Sequence, residues 1–367
     1  MCIRDSNAVK PFTATWEGDV PILRRYCVDE LDKVPEYEMR KWYWDMEWMP
    51  KGSEHEDAIT TIAVYDNYND ETYQSVWFPD TTYHESQRKY TFGSEKEMLL
   101  HFVTMMNQHD PDMLIAWWGL KSDIPQLIKR LFANKIDPRK LSPHKEVKNV
   151  GFNALGSVEY SNIEQPIRGR LCLNLDLAFE RQWMDAQRGT LPSLSLDYVS
   201  ESVLGEKKLV SDKFPDKNEF FRRGWQEDTE TYLEYALKDV ELIKRIDDEN
   251  FTTEAILSLQ RLLIAPFDAC FYASNMGGIY FMRNASWKAP TGMKGDRVDY
   301  DGAMVYDPLS EATNGLHLGV AAFDFAGLYP SMMIARNISW ETKSDTPTEF
   351  GVNIKTPKDF SRRSDRF

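Results

Sequence analysis

The sequence predicts a mixed α/β (α+β) fold, and two observations support this prediction. Short runs rich in β-branched and aromatic residues, such as residues 59–65, alternate with segments whose apolar residues recur at helical spacing, such as residues 229–246. Strands that alternate with helices are typical of an α/β layer. The length of 367 residues exceeds one ordinary core, so about two to three domains are expected.

The first half of the chain contains the clearer strand patterns. Strands are predicted at residues 41–48, 59–65, 73–78 and 113–118. Ser94 and Glu97 form a capping box, which predicts a helix whose apolar positions run from Met98 to Met106. A further helix is predicted at residues 124–132.

Helices predominate in the second half. The predicted elements are a strand at 170–177, helices at 194–203, 229–246, 256–273 and 276–287, and strands at 300–306 and 318–323. Residues 1–7 carry no periodicity and look foreign to the rest of the chain, so they are excluded from the fold prediction.

Composition and charge exclude several classes of protein. The longest uncharged apolar stretches, such as residues 113–120, fall far short of the roughly 20 residues that span a bilayer, so no membrane partner is expected. The four cysteines are scattered without a Cys-x-x-Cys pair, which argues against a zinc site or a disulfide framework and favours a reducing compartment. The net charge of −14 argues against a protein that binds nucleic acid over its whole surface. Basic residues nevertheless cluster at 121–148, 168–170 and 222–223. These clusters are either phosphate contacts or solvated helix faces.

Two acids share one face of the first predicted strand. Asp45 and Glu47 are two residues apart, so both side chains point to the same face. A pair of carboxylates makes a hard-oxygen pocket suited to Mg²⁺ or Mn²⁺. The pattern alone is weak, because an acidic chain of this length contains roughly two Asp-x-Glu matches by chance, and an exposed acidic strand face is the alternative.

Three further acids stand where a carboxylate can be aimed at a metal. Asp123 lies at the start of a predicted helix, where it can be a metal ligand, a helix N-cap or both. Tyr235 and Asp239 are four residues apart and share a helix face, as site residues or as a buried hydrogen-bonded pair. Asp324 ends an apolar strand before a tight turn at 327–331, and an ordinary strand-to-helix turn is the alternative there.

In order and spacing, these motifs resemble a family B DNA polymerase: a 3′-to-5′ proofreading exonuclease of the DEDDy class followed by the start of the polymerase palm. The resemblance covers residues 16–339. It implies an RNase H-like exonuclease fold in which four carboxylates hold two Mg²⁺ or Mn²⁺ ions about 3.5 to 4 Å apart. The implied ligands are Asp45, Glu47, Asp123 and Asp239. Tyr235 would orient the attacking water.

The resemblance also assigns roles in the second half of the chain. Asp324 and the Phe325 carbonyl would bind the polymerase metals, with Asp324 a catalytic residue. The implied nucleotide-binding residues are Gly327, Leu328 and Tyr329. Tyr300 and Gly302 match a segment that the family uses to contact DNA, although alone they would be an ordinary glycine turn.

One departure from the family pattern concerns the second exonuclease motif. Trp118 stands where the family has an amide, and Ser122 stands where it has an aromatic residue. The metal-binding acid, Asp123, is retained. Trp118 could stack on a frayed base, since base stacking on an aromatic side chain contributes about 1 to 3 kcal/mol.

The resemblance finally divides the chain and predicts its partners. Residues 1–38 would be the remnant of an N-terminal domain, 39–247 the exonuclease domain, 248–299 a helical connection and 300–367 an incomplete palm. The expected partners are DNA, as primer-template and as a frayed single-stranded 3′ end, deoxynucleoside triphosphates in the full-length protein, and a sliding clamp. The expected location is the cytoplasm of a prokaryotic cell or of a virus-infected host.

The fragment itself is expected to be unable to polymerise. The sequence contains no Lys-bearing fingers helix and no later Asp-x-Asp turn after the Asp324 motif. Two alternatives remain open at this point. One is a free-standing DEDD nuclease with an unrelated C-terminal domain, and the other is an inactivated polymerase paralogue that acts as a structural or DNA-binding subunit.

Overall fold

The structure is a computed structural model that describes residues 17–79, 81–150, 158–186, 189–214, 216–284, 318–321 and 323–338. The chain divides into two compact units, Met1–Lys294 and Gly295–Phe367. None of the helices within the described ranges combines the length and the apolarity needed to cross a bilayer. The predicted strand at 300–306, together with Tyr300 and Gly302, lies outside the described residues.

A seven-stranded mixed sheet organises the first unit. Its strands are β1 (Lys41–Trp48), β2 (Ile59–Asp66), β3 (Glu71–Trp77), β4 (His84–Ser86), β5 (Lys89–Phe92), β6 (Met113–Ala116) and β7 (Leu171–Asn174). Their order across the sheet is β4-β5-β3-β2-β1-β6-β7. The pairs β1/β2, β2/β3 and β4/β5 are antiparallel, whereas β1/β6, β6/β7 and β3/β5 are parallel. The prediction of a mixed α/β fold is confirmed.

Helices cover both faces of this sheet. The described helices of the first unit are α1 (Ile22–Glu30), α2 (Glu95–His109), α3 (Asp123–Ala133), α4 (Leu175–Asp185), α5 (Leu196–Leu204), α6 (Lys217–Glu219), α7 (Trp225–Glu227), α8 (Thr229–Asn250), α9 (Thr252–Leu263) and α10 (Ala273–Asn284). Half of the predicted capping box is present: the Ser94 side chain accepts a hydrogen bond from the Glu97 amide, whereas the Glu97 carboxylate accepts from the Gly93 amide and not from that of Ser94.

The central strand β1 carries different side chains on its two faces. Trp42, Trp44 and Met46 are buried in a core that includes residues of α2 and α3. Tyr43 belongs to a second core on the opposite face, which includes residues of α8 such as Ile243. Because side chains alternate along a strand, Asp45 and Glu47 lie on the Tyr43 face. The apolar face anchors the strand and thereby fixes where these two acids point.

Several predicted boundaries are wrong for local reasons. The strand predicted at 170–177 ends at Asn174, which becomes the N-cap of α4. The strand predicted at 113–118 ends at Ala116, because Trp118 adopts a left-handed backbone with φ of 70°. The helix predicted at 256–273 begins earlier and ends at Leu263, since Ile264 is left-handed and Pro266 has no amide to continue the helix.

The second unit is described over a short helical segment. Residues 318–321 and 323 are irregular, so the strand predicted at 318–323 is wrong for these residues. Gly327 has φ of 60°, a conformation that favours glycine, and acts as the N-cap of α11 (Leu328–Ala335). Pro330 is tolerated because it stands in the first turn of the helix, where its missing amide costs no intrahelical hydrogen bond.

Candidate metal centre

Strand β1 presents Asp45 and Glu47 from the middle of the sheet. Asp45 pairs with Ala63 and Glu47 with Thr61 of β2, and the register shifts immediately after Glu47. Such bulges are frequent next to active sites because they re-aim side chains. The Thr60 hydroxyl donates a hydrogen bond to the Glu47 carbonyl at 3.0 Å, which fixes the backbone at this point.

Helix α8 brings Asp239 to the same place. Tyr235 and Asp239 are one helical turn apart, and both are buried where α8 packs against β1 and β2. Carboxylate oxygens of Asp45, Glu47 and Asp239 all lie within 4.8 Å of one another. Acids from distant parts of the sequence therefore meet in one cluster. We call these three residues the carboxylate cluster.

Asp123 lies close to the carboxylate cluster but outside the group of three. It is the first residue of α3 and only 3% exposed. Ser122, not Asp123, is the N-cap of α3, so the N-cap interpretation of Asp123 is wrong. The Asp45 carboxylate raises the pKa of Asp123, second to the effect of burial, which shows that the two acids feel each other's charge.

Burial raises the pKa of every acid in this centre, and a neighbouring carboxylate adds to the rise at Asp45, Glu47 and Asp123. Burial first and Asp239 second raise the pKa of Asp45 to about 7. Burial and the neighbouring Asp45 hold the pKa of Glu47 well above its usual range. Burial also raises the pKa of Asp239, although Lys208 opposes this. Crowded carboxylates of this kind favour a cation between them.

Lys208 is a residue of this centre that sequence reasoning missed. Its Nζ donates to Asp239 Oδ2 at 2.6 Å and to the Tyr235 hydroxyl at 3.3 Å. Burial would lower the pKa of Lys208, but Asp239 and Tyr235 raise it above its usual value, so the side chain is charged. The lysine belongs to the loop after α5, and nothing in its local sequence indicates that it reaches a helix residue 31 positions away.

A second ion pair ties the Lys208 loop to α8. Glu206 accepts from Lys238 at 2.8 Å and pairs with Arg245 at 2.7 Å. These two partners lower the pKa of Glu206 to about 2. The loop is therefore fixed to α8 on both sides of Asp239, which helps to keep Lys208 at the cluster.

Tyr235 stands beside the cluster in an aromatic setting. Its ring contacts Phe220 and Phe221 at centroid distances of 5.6 and 5.7 Å. These two residues belong to a π-helical turn at 220–224, and short π-helical segments are frequent at functional sites. Burial and Asp239 raise the pKa of Tyr235, so its hydroxyl stays protonated and can donate a hydrogen bond.

The donor set fits a divalent cation. The oxygens come from carboxylates, which are the ligands that Mg²⁺ and Mn²⁺ prefer. Asp239 Oδ1 is buried and has no hydrogen-bond partner among the described residues, whereas Oδ2 of the same carboxylate is bound by Lys208. An unpaired buried carboxylate oxygen is costly unless a cation or a donor occupies the space in front of it.

Trp118 lies in the loop between β6 and α3, which leads to Asp123. Its side chain is 57% exposed, so it is not a core residue. The Trp118 carbonyl accepts hydrogen bonds from the amides of Lys121 and Ser122. The Ser122 amide therefore closes the turn that leads into α3. Its side chain makes no capping hydrogen bond.

Several residues of the predicted basic clusters have partners within the protein. Arg170 is buried and donates to the backbone carbonyls of Pro111 and Leu141, which excludes it as an exposed phosphate contact. Further ion pairs join Arg130 to Glu95, Lys129 to Asp57, Arg139 to Asp137, Lys148 to Glu164, Arg168 to Glu146 and Arg223 to Glu227. Each of these six side chains is paired with an acid, and phosphate contact by the exposed ones stays a prediction.

The predicted palm residues are exposed. Asp324, Phe325 and Tyr329 all have solvent-accessible side chains, with Tyr329 at 79%. Gly327 and Leu328 form the start of α11. Their assigned roles in metal and nucleotide binding stay predictions.

Similarity to known families, rather than the carboxylate cluster alone, identifies the class of protein as a DNA polymerase with an exonuclease domain. Residues 28–199 match the family model described as DNA polymerase family B, exonuclease domain. Residues 271–362 match the model described as DNA polymerase family B. The chain belongs to the family B DNA polymerases. The first match includes Asp45, Glu47 and Asp123, and the second includes Asp324, whereas Asp239 lies between the two.

Curated relatives agree with this assignment. The chain is 26% identical over 362 residues to the DNA polymerase of Pyrococcus glycovorans, covering 93% of this chain and 42% of that protein. It is 24% identical over 348 residues to the DNA-directed DNA polymerase of Escherichia phage RB69, covering 89% of this chain and 34% of that protein. It is 25% identical over 268 residues to the DNA polymerase delta catalytic subunit of Candida albicans, covering 68% of this chain and 24% of that protein. The chain spans less than half the length of each of these relatives.

Proposed function

We propose that this chain carries the 3′-to-5′ exonuclease of a family B DNA polymerase and removes nucleotides from single-stranded 3′ ends of DNA. The observation that carries the proposal is the meeting of Asp45, Glu47 and Asp239 within 4.8 Å, with a buried carboxylate oxygen left unpaired among the described residues. Structural burial alone does not account for this crowding, because like charges raise each other's pKa and destabilise the metal-free state.

The proposed cofactors are two Mg²⁺ or Mn²⁺ ions held by the carboxylate cluster and Asp123. When bound, such ions activate water and stabilise the leaving 3′ oxygen. Support for Asp239 as a ligand comes from its Oδ1 atom, which is buried and has no hydrogen-bond partner within the described residues. Asp123 adds a further carboxylate from the start of α3.

The remaining residues prepare the site for DNA. The protonated Tyr235 hydroxyl can orient a water molecule at the cluster. The Lys208 ammonium supplies a positive charge beside Asp239 and can also meet a phosphate oxygen of the substrate. The exposed Trp118 indole offers a surface on which the base of a frayed nucleotide can stack.

The same proposal includes the rest of the replicative enzyme. The similarity of residues 271–362 to the polymerase model disfavours a free-standing nuclease with an unrelated C-terminal domain. We propose that primer-template DNA and deoxynucleoside triphosphates are substrates of the full-length protein, that a sliding clamp is a partner, and that the cytoplasm is its location.

The test is digestion of a 5′-labelled single-stranded oligonucleotide in Mg²⁺, Mn²⁺ or EDTA. We expect stepwise shortening from the 3′ end with either metal and none with EDTA. The Asp45→Ala/Glu47→Ala double variant should lose this activity and stay folded, because it relieves repulsion in the metal-free protein. The matched control is Glu230→Gln/Glu234→Gln, which removes two acids from the exposed face of α8. Equal cleavage by the double variant and the wild type would refute the proposal.

A further inference from the structure

Two side chains at the start of α4 hold the loop that joins β6 to α3. Asp176 Oδ1 accepts a hydrogen bond from the Trp118 amide at 3.1 Å. Asn174 Oδ1 accepts a hydrogen bond from the Leu120 amide at 2.8 Å. These contacts cross 58 and 54 residues of sequence, so the loop is tied to a different part of the fold.

The loop needs such support because its backbone is strained. Trp118 has φ of 70°, a left-handed conformation that costs a non-glycine residue roughly 1 to 3 kcal/mol. Gly119 follows, where an added Cβ would lie 2.6 Å from the Ala116 Cβ. The Gly119 carbonyl then accepts the Ile124 amide at 2.9 Å, which connects the loop to the helix turn that carries Asp123.

Both supporting side chains are buried at some cost. Asn174 is 0% exposed, and its Nδ2 has no hydrogen-bond partner among the described residues. Asp176 is 7% exposed, and burial raises its pKa to about 6. An acid in the first turn of a helix is stabilised by the helix dipole, but that effect does not require a hydrogen bond to Trp118. Two buried polar groups therefore serve one loop.

We propose that Asp176 and Asn174 are positioning residues of the nuclease: they hold the 117–122 loop so that the Trp118 indole faces the single-stranded substrate while Asp123 stays beside the carboxylate cluster. This inference rests on the proposed nuclease function. Asp176 acts through the Trp118 amide and hence on binding of the strand. Asn174 acts through the Leu120 amide, which lies three residues before Asp123.

The first experiment tests the positioning without any need for activity. Amide hydrogen exchange is measured on the full chain in EDTA, for peptides that contain residues 117–122. Asp176→Ser should speed exchange at Trp118 by about 10-fold or more, because the amide loses its acceptor, and serine suits the first turn of a helix. Asp176→Asn keeps an acceptor oxygen and should exchange like the wild type. Unchanged exchange in Asp176→Ser, with the fold intact by circular dichroism, overturns the proposal.

The second experiment separates positioning from general stability. With oligothymidylate as substrate, Asp176→Ser should raise KM by about 10-fold, comparable to the loss of one base stack, and leave kcat within about 2-fold. Asp176→Asn should restore KM. Asn174→Ala should instead lower kcat, and Asn174→Asp, which keeps the acceptor, should restore it.

A double-mutant cycle shows whether Asp176 works through Trp118. In a Trp118→Ala background, Asp176→Ser should add little to KM, because the side chain that it positions is already gone. Fully additive effects would overturn the assignment of Asp176 as a positioning residue for Trp118. If the wild-type chain degrades no DNA, the proposed function fails, and the exchange experiment still decides whether Asp176 holds the loop.

Discussion

The acids of the first unit and Asp324 of the second unit stand in opposite surroundings. Asp123 and Asp239 are 3% and 2% exposed, and Asp45 and Glu47 are half-buried beside them. Asp324 is exposed at the end of an irregular segment that leads to α11. The two motifs are similarly recognisable in sequence. The difference teaches that the acids of the first unit owe their raised pKa values to the strand, helix and loop packed around them, which a sequence motif does not by itself provide.

The comparison is tested most directly by removing one acid from each unit. Asp239→Asn should lower exonuclease activity by at least about 100-fold, because even groups that merely support metal ligands typically contribute 10- to 100-fold. Asp324→Asn should leave exonuclease activity within about 2-fold. Both variants are assayed on the same 5′-labelled oligonucleotide in Mg²⁺. A comparable loss in both would mean that the two motifs are not independent.

Substitution of Lys208 measures how much the crowded carboxylates of the first unit destabilise the metal-free protein. Lys208→Met leaves Asp239 without its partner, so the free energy of unfolding in EDTA at pH 8 should fall by about 3 kcal/mol, as for other broken buried ion pairs. Mg²⁺ should restore more stability to this variant than to the wild type. Denaturant unfolding with EDTA and with MgCl₂ measures both effects.

The control for this prediction is Lys208→Arg, which keeps the charge and should stay close to the wild type. A Lys208→Met variant that is as stable as the wild type in EDTA would contradict the importance of this ion pair. The loss should also shrink towards pH 5, because protonated acids no longer need a counter-charge.

Because Asp176 is buried in the first unit, we expect the free energy of unfolding to depend on its titration. Its folded pKa of about 6 lies above the usual value of about 3.9 for an unfolded chain. Its contribution to stability is therefore complete below about pH 4 and is lost as the pH rises through 6. Asp176→Asn does not titrate, so its stability relative to the wild type should rise by about 2 to 3 kcal/mol between pH 4 and pH 8. If the free energies of unfolding of the variant and the wild type differ by the same amount at both pH values, the prediction is wrong.

The smallest expected effect concerns the exposed edge of the site. Trp118→Ala should weaken binding of a single-stranded oligonucleotide by about 1 to 3 kcal/mol and leave metal affinity nearly intact, because the indole lies outside the carboxylate cluster. Fluorescence anisotropy in Ca²⁺ measures the binding. The matched control is Tyr83→Ala, an equally exposed aromatic residue on the loop before β4. If both variants weaken binding equally, Trp118 has no specific role in binding the single strand.

Local patterns predicted much of the fold. The helix start capped by Ser94, the hairpin of β2 and β3 and the amphipathic helix α8 are all present. The strands β4 and β5 and the helix α1 were not predicted. They are short or carry little apolar periodicity, since the residues of β4 are exposed and α1 buries none. Element boundaries failed where one residue took a left-handed backbone, as at Trp118.

The sequence by itself determined which acids share a face. Asp45 and Glu47 follow from the alternation of a strand, and Tyr235 with Asp239 follows from the turn of a helix, because both depend on local geometry. Only the tertiary structure decided that these faces meet, that Lys208 enters between Asp239 and Tyr235, and that Asp176 reaches the Trp118 amide. These contacts join residues far apart in sequence, and packing of the sheet against α8 and α4 sets their distances.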